Sequence, residues 1–425
     1  MSYVPRKLTS RPNSPSCGTP IRALLIAEVL EMILDELVNE KRSICHLAFT
    51  CKAIAEPSLD RLWGLNDSLE PFIALLPKEL VLDEDSVFRF DKLTISNLPA
   101  EKWATFDDYA RRVRRLYAKT VTMNPHRIYS SIYKQLIHIR PNVELFPNLT
   151  TLAIHAKRLP NPHLRLFPSS LRSVTFSWAN IKAPEIEAVL WSSVMNRLFL
   201  DAPLVEHIHF EGSPKEPLQS LTPLPFQQLQ RITIKPSPLD PNVLHKYSHA
   251  LSASAVRELD LRFVRWPDPR LQPVSPVFPS LRKLIIDGSP SHAIEFVRLL
   301  SSPVLQELAI ASQCERSGDA VTQYTQLLML LADKYRGVFR ALKIQHPLLC
   351  HDQAGLESFL RAVCTLADAG VGTLQLNLIV GWQELTREVQ DMIDPSKWTV
   401  LRHFRITSRR ASPSWSWTAG NALFG

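Results

Sequence analysis

A short apolar pattern, L-x-x-L-x-L in its hydrophobic positions, recurs through most of the 425 residues and constrains the fold more than any other feature. Its clear copies are Leu149/Leu152/Ile154, Leu171/Val174/Phe176, Val205/Ile208/Phe210, Leu229/Ile232/Ile234, Val256/Leu259/Leu261, Leu281/Leu284/Ile286 and Leu305/Leu308/Ile310. Less regular copies stand at Phe339/Leu342/Ile344, Val371/Leu374/Leu376 and Leu401/Phe404/Ile406, with an early one at Phe90/Leu93/Ile95. In each copy the last two positions share one strand face by the two-residue period, while the first caps the turn into the strand. Many copies follow a Phe-Pro corner, as in FPNLTTLAI, FPSSLRSVTF and FPSLRKLIIDG, where proline ends the preceding element. Between copies lie sequences of helical character: APEIEAVLWSSVMNRLFL, SHAIEFVRLLSS, VTQYTQLLMLLADKYRG, AGLESFLRAVCTLADAG and WQELTREVQDMI. A chain of this kind alternates short strands with helices.

From Leu149 onward the first positions are 22, 34, 24, 27, 25, 24, 34, 32 and 30 residues apart. Several intervals fall in the range of about 20 to 29 residues typical of leucine-rich repeats, and the longer ones leave room for fuller helices or insertions. The expected fold is therefore an α/β solenoid over residues 90–410, a curved parallel sheet with helical returns. The competing reading is an irregular α/β domain whose ordinary buried strands carry spaced leucines.

The N-terminal part differs. Residues 1–20 hold four prolines and four serines among scattered apolar residues, too little side-chain area to offset ordering the backbone, and read as a disordered tail. Residues 21–64 read as three amphipathic helices. Leu25, Val29, Ile33 and Leu37 form an i, i+4 series, opposed by Glu28, Glu31, Asp35 and Glu36. Ser43 is the expected N-cap of the second helix, with Ile44, Leu47, Ala48 and Cys51 on one side, and Pro57 is expected to open the third. Residues 65–89 read as a linker or first cap. Residues 411–425, with Trp415, Trp417 and Phe424, read as a C-terminal cap or tail.

The segment LLIAEVLEMILDELVNEKRSICHLAFTCKAIAEPSLDRLW resembles an F-box. Leu25 and Glu28 match its opening, Val29, Leu30, Ile33 and Leu37 its first apolar face, Leu47, Ala48, Cys51 and Lys52 its middle, and Leu59, Leu62 and Trp63 its end. Ile26 stands where the family has proline and Ile54 where it has tryptophan. Followed by repeats, the segment is similar to the leucine-rich-repeat class of F-box proteins. That resemblance implies a noncatalytic substrate-recognition subunit of an SCF-type ubiquitin ligase, without cofactor. Its helices would bind a Skp-family adaptor and, through it, cullin and RING subunits, while its repeats would bind a protein substrate. A noncatalytic repeat scaffold without a role in ubiquitin transfer is the alternative. The expected adaptor surface comprises Leu25, Ile26, Glu28, Val29, Ile33, Leu47, Cys51 and Ile54, although a helical cap on the first repeat would use the same apolar area. The expected substrate surface draws on Thr151, Arg172, Thr175, Glu206, His209, Arg231, Thr233, Glu258, Arg282 and Glu307. Their mixture of signs favours a protein or peptide over nucleic acid.

Catalytic and cofactor chemistry finds little support in the sequence. With 12 glycines there is neither a G-x-x-x-x-G-K-[ST] nor a G-x-G-x-x-G loop, and the six cysteines include no Cys-x-x-Cys pair. His46 beside Cys45 and Cys51, and Cys350 beside His351, lack a third partner fixed by spacing. The acidic runs Asp83–Asp85 and Asp107/Asp108 lack the glycine and glutamate of a calcium loop and read as solvated surface. Arg111, Arg112, Arg114 and Arg115 form the densest basic cluster, read as a solvated helix face ahead of an acidic protein contact. A net charge of +8 over this length does not by itself call for nucleic acid. No apolar run reaches the ~20 residues of a spanning helix and no secretory signal is evident, so cytoplasm or nucleus is the expected location, with the sequons at Asn66 and Asn148 left unused.

Overall fold

The computed structural model describes residues 26–67, 70–76, 99–118, 140, 143–155, 167–177, 184–211, 228–235, 255–262, 278–311, 320–350, 352–380, 403–408, 415–418 and 421–424. The chain divides into two compact units, residues 1–174 with 200–202, and residues 175–199 with 203–425.

The first unit opens with three helices, α1 (Ala27–Glu36), α2 (Lys41–Ala48) and α3 (Lys52–Gly64). Leu30, Leu34, Ile44 and Ile54 make their core, with Leu37, Leu47, Cys51 and Leu62 packed against it. The buried stripe of α1 thus runs through Leu30 and Leu34, one position along from the expected Val29/Ile33 series. Adjacent positions differ by only about 100° around a helix, and the wider apolar stripe settles on the residues nearest α2 and α3. Glu40, not Ser43, caps α2; Ser43 sits in its first turn and donates to Glu40 at 2.9 Å. Pro57 lies inside α3 rather than at its start. Next come β1 (Leu65–Asn66), α4 (Glu70–Ile73), α5 (Ala100–Ala110), β2 (Arg115–Ala118), β3 (Thr151–His155) and β4 (Ser173–Ser177), the unit boundary falling within β4. Strands β1, β2 and β3 pair parallel in chain order. In the same unit an aromatic cluster packs edge to face, Phe72 meeting Trp63 at 5.3 Å and Phe146 at 5.1 Å between ring centroids.

The second unit carries α6 (Pro184–Asp201, largely within it), β5 (His207–Glu211), β6 (Arg231–Lys235), β7 (Glu258–Arg262), β8 (Lys283–Asp287), α7 (Pro290–Leu299), β9 (Glu307–Ile310), α8 (Ala320–Lys334), β10 (Ala341–Cys350), α9 (Gln353–Asp368), β11 (Thr373–Val380), β12 (His403–Ser408), β13 (Trp415–Thr418) and β14 (Asn421–Phe424). From β5 to β12 neighbours in chain order pair parallel, and β13 and β14 add an antiparallel hairpin. Register stacks Ile208, Ile232, Leu259, Leu284, Leu308, Leu342 and Leu374 in one row, each no more than 1% exposed. Full burial of such a side chain stabilises by roughly 1.5–3 kcal/mol, so this row and the parallel one through Phe210, Ile234, Leu261 and Ile286 anchor the sheet. Helix α8 buries Tyr324, Leu327, Leu328 and Leu331, and α9 buries Leu356, Phe359, Leu360, Val363 and Leu366. The Asp352 carboxylate caps α9 by accepting from the Gly355 amide at 2.6 Å, and Gly370 after its end takes φ +100°, where a β-carbon would be strained.

This architecture corrects the expected fold. The spaced leucines are core positions of ordinary buried strands in a large parallel sheet of an α/β fold, the competing reading of the pattern, and not units of a curved leucine-rich-repeat solenoid. Any parallel strand buried on one face sets apolar residues two apart, so the motif recurs without a repeat unit behind it. Unit lengths confirm the point: β10 and β11 extend to 10 and 8 residues, β10 shifts register between Lys343 and Pro347, and helices run from 10 to 18 residues. Without the repeat array, the likeness to an F-box protein of the leucine-rich-repeat class loses its larger part. The early copy at Phe90 and the helical stretch beginning at Trp382 lie outside the described residues.

Candidate binding surface on the parallel sheet

Alternation along β5 to β9 sends one residue in two to the apolar core and the other to a polar face. On that face register aligns His207, Arg231, Glu258, Lys283 and Glu307 across five neighbouring strands. Glu258 lies between two cations, 3.5 Å from Arg231 Nη2 and 3.2 Å from Lys283 Nζ. Glu307 accepts from Lys343 at 2.8 Å. These side chains are partly exposed, so each pair contributes only about 0–1 kcal/mol.

The next row holds His209, Thr233, Asp260 and Ile285, and the strands then end on charge: Glu211, Lys235, Arg262 and Asp287 are the last residues of β5, β6, β7 and β8. Asp260 is 1% exposed. Its carboxylate accepts side-on from Arg262, Nε at 3.0 Å and Nη2 at 3.1 Å, a geometry that satisfies the buried anion and fixes the guanidinium plane. Burial pushes the Asp287 carboxyl up, while Arg262 draws it down. Burial, then Lys235, holds the His209 imidazole below its ordinary value, which keeps it neutral at pH 7.

Of the sequence-predicted substrate residues, His209, Arg231, Thr233, Glu258 and Glu307 share this face. Thr151 opens β3 and Thr175 lies in β4, both half-buried, whereas Arg172, Glu206 and Arg282 precede their strands. Lys235, Asp260, Arg262, Lys283 and Asp287 were missed. Their signal was present in the parity of segments such as E-L-D-L-R, where charges recur every second residue.

The expected adaptor residues separate. Leu25 lies outside the described residues; Ile26, Glu28 and Val29 are exposed; Ile33, Leu47 and Cys51 are half-buried; Ile54 is 2% exposed inside the helical core. In the basic cluster Arg112 is buried and bound to Glu56 at 2.7 Å and to Asp60, while Arg111 pairs with Asp108 at 2.6 Å. Asp107 takes Arg140 through both oxygens at 2.6 and 3.0 Å. Asn66 donates to the Trp63 carbonyl and Asn148 to that of Arg111. Asp83–Asp85 and His351 lie outside the described residues, and burial raises the Cys350 thiol to about 11, opposite to activation. Among the described residues no group of three or more His, Cys, Asp or Glu is placed to hold a metal ion, and no helix is long and apolar enough to cross a membrane.

The chain matches no protein-family model and no curated protein. Together with the parallel-sheet fold, this overturns the assignment to F-box proteins with leucine-rich repeats, and with it the reading as an SCF ubiquitin-ligase subunit or leucine-rich-repeat scaffold. The L-x-x-L-x-L spacing carried that assignment, and it is equally the spacing of buried parallel strands.

Proposed function

We propose that the polar face of β5–β9 binds a polypeptide segment carrying charges of both signs, and that the chain acts by recognition rather than bond chemistry. The observation behind this reading is the register-aligned row Arg231, Glu258, Lys283 and Glu307, in which signs alternate strand by strand. A phosphate backbone or an anionic membrane presents one sign and meets repulsion at every second strand, whereas a polypeptide can match both signs. Among the described cysteines, Cys51 and Cys350 are free thiols, which suits a reducing compartment such as cytosol or nucleus.

Selection of short random peptides on the immobilised full chain tests the reading. Enriched peptides should carry both signs, and their affinity should fall by about tenfold or more in Arg231→Glu/Lys283→Glu, measured on a variant that is still folded. Arg231→Ala/Lys283→Ala serves as the milder variant if the reversal unfolds the sheet. Peptides that bind the folded double variant as well as the natural chain would place recognition elsewhere, and failure to enrich any peptide would reject polypeptide binding.

A further inference from the structure

We infer that Lys235 and Arg262, at the carboxyl ends of β6 and β7, form a cationic anchor for one anionic side chain of the bound polypeptide, a carboxylate or a phosphate ester. The inference rests on the polypeptide reading and adds the chemistry of its anchoring residue. Ile234 pairs with Leu261, so Lys235 and Arg262 stand side by side one step further on, on neighbouring strands roughly 4.8 Å apart. Glu211 pairs with Lys235 and Asp287 with Arg262, so the order along the strand ends is acid, base, base, acid. The two cations therefore adjoin, with Asp260 pairing to Arg262 and a carboxylate on either side, so an anion is met only along the outer edge of the pair and not by a general anion-binding strip.

Asp260 makes the anchor ready before any ligand arrives. It engages Arg262 through Nε and Nη2, and among the described residues the three other N–H donors of the guanidinium have no hydrogen-bond partner. The Arg262 side chain is 47% exposed while the Asp260 side chain beneath it is 1% exposed. A guanidinium held flat by a buried carboxylate loses little rotamer entropy on binding and offers its free edge to a second planar acceptor. Asp260 acts as a positioning residue and Arg262 as the binding group.

Three peptide libraries decide the matter, random except for a fixed central residue that is glutamate, phosphoserine or glutamine. The full chain should retain the glutamate and phosphoserine libraries about tenfold better than the glutamine library, as charge-assisted pairs outweigh neutral ones. Whichever of the two anionic libraries binds more tightly identifies the source of the negative charge. Arg262→Ala should erase the preference and leave glutamine-library binding intact; Arg262→Gln, which keeps a donor for Asp260, covers the case in which the alanine variant fails to fold. Asp260→Asn should weaken the preference in the natural background and add nothing in the Arg262→Ala background, whereas a merely structural Asp260 would lower retention of all three libraries in both. Equal retention of the three libraries by the natural chain overturns the anchor while the polypeptide reading stands. Retention of none overturns that reading itself.

Discussion

Lys334 shows how far one side chain reaches in this fold. From the end of α8 its ammonium donates to the carbonyls of Val297 at 2.7 Å, Arg298 at 3.1 Å and Leu300 at 2.6 Å. These are last-turn carbonyls of α7, which have no amide partners within their own helix. Lys334→Met keeps the stem's packing and removes the donor, so urea unfolding should show a loss of about 1–3 kcal/mol, with Lys334→Arg recovering part of it. A loss below the error of the measurement would mean that water replaces the ammonium without penalty. At this same scale the sequence was least informative. Arg282 and Glu206 looked as good for binding as Arg231 and Glu258, because a strand's first paired residue is invisible without its neighbour's register. Asp260 gave no hint of being buried, since its burial depends on Arg262 and on strands about 25 residues away in the chain.

Among whole elements legibility improves. The helical stretches at 183–200, 291–302, 321–337 and 354–370 are the helices α6 to α9 to within a few residues, and the described copies of the apolar pattern are strands from β3 to β12. Period sets both, because 3.6-residue and two-residue repeats of burial leave different marks. What period could not convey was how the strands assemble, and there the solenoid expectation failed. The junction of α3 with the segment before β2 illustrates a force no pattern announces. The Arg112 side chain is only 6% exposed, yet its partners Glu56 and Asp60 are 69% and 63% exposed. Losing the arginine strands no buried charge, while losing the carboxylates does. Arg112→Met should therefore shift stability by less than about 1 kcal/mol, whereas Glu56→Gln/Asp60→Asn should cost about 2–4 kcal/mol in chemical unfolding. The reverse order would show that the packing of the arginine side chain, and not its charge pairing, holds the junction.

Over the molecule as a whole, a parallel sheet that grows strand by strand in chain order must end on an edge, and its edges decide whether it stays dispersed. In the second unit the parallel run ends on β12, which pairs with β11 only over Asn377–Val380 and turns its other side to β13. That second side is occupied from His403 to Ile406 by an antiparallel partner, and β13 in turn by β14. Among the described residues the outermost strand at this end is thus the four-residue β14 instead of the six-residue β12, and short edge strands are poor templates for another chain. Ending the chain after Ser408 uncovers the backbone donors and acceptors of β12 that β13 satisfied. Light scattering coupled to size exclusion should then show concentration-dependent association absent from the full-length chain, together with a lower unfolding midpoint. Leu423→Pro, which disturbs β14 alone and leaves β13 on β12, should give a smaller effect of the same sign. A truncated chain as dispersed and as stable as the full-length one would mean that the hairpin does not protect this edge, and that the four pairs between β11 and β12 close the sheet unaided.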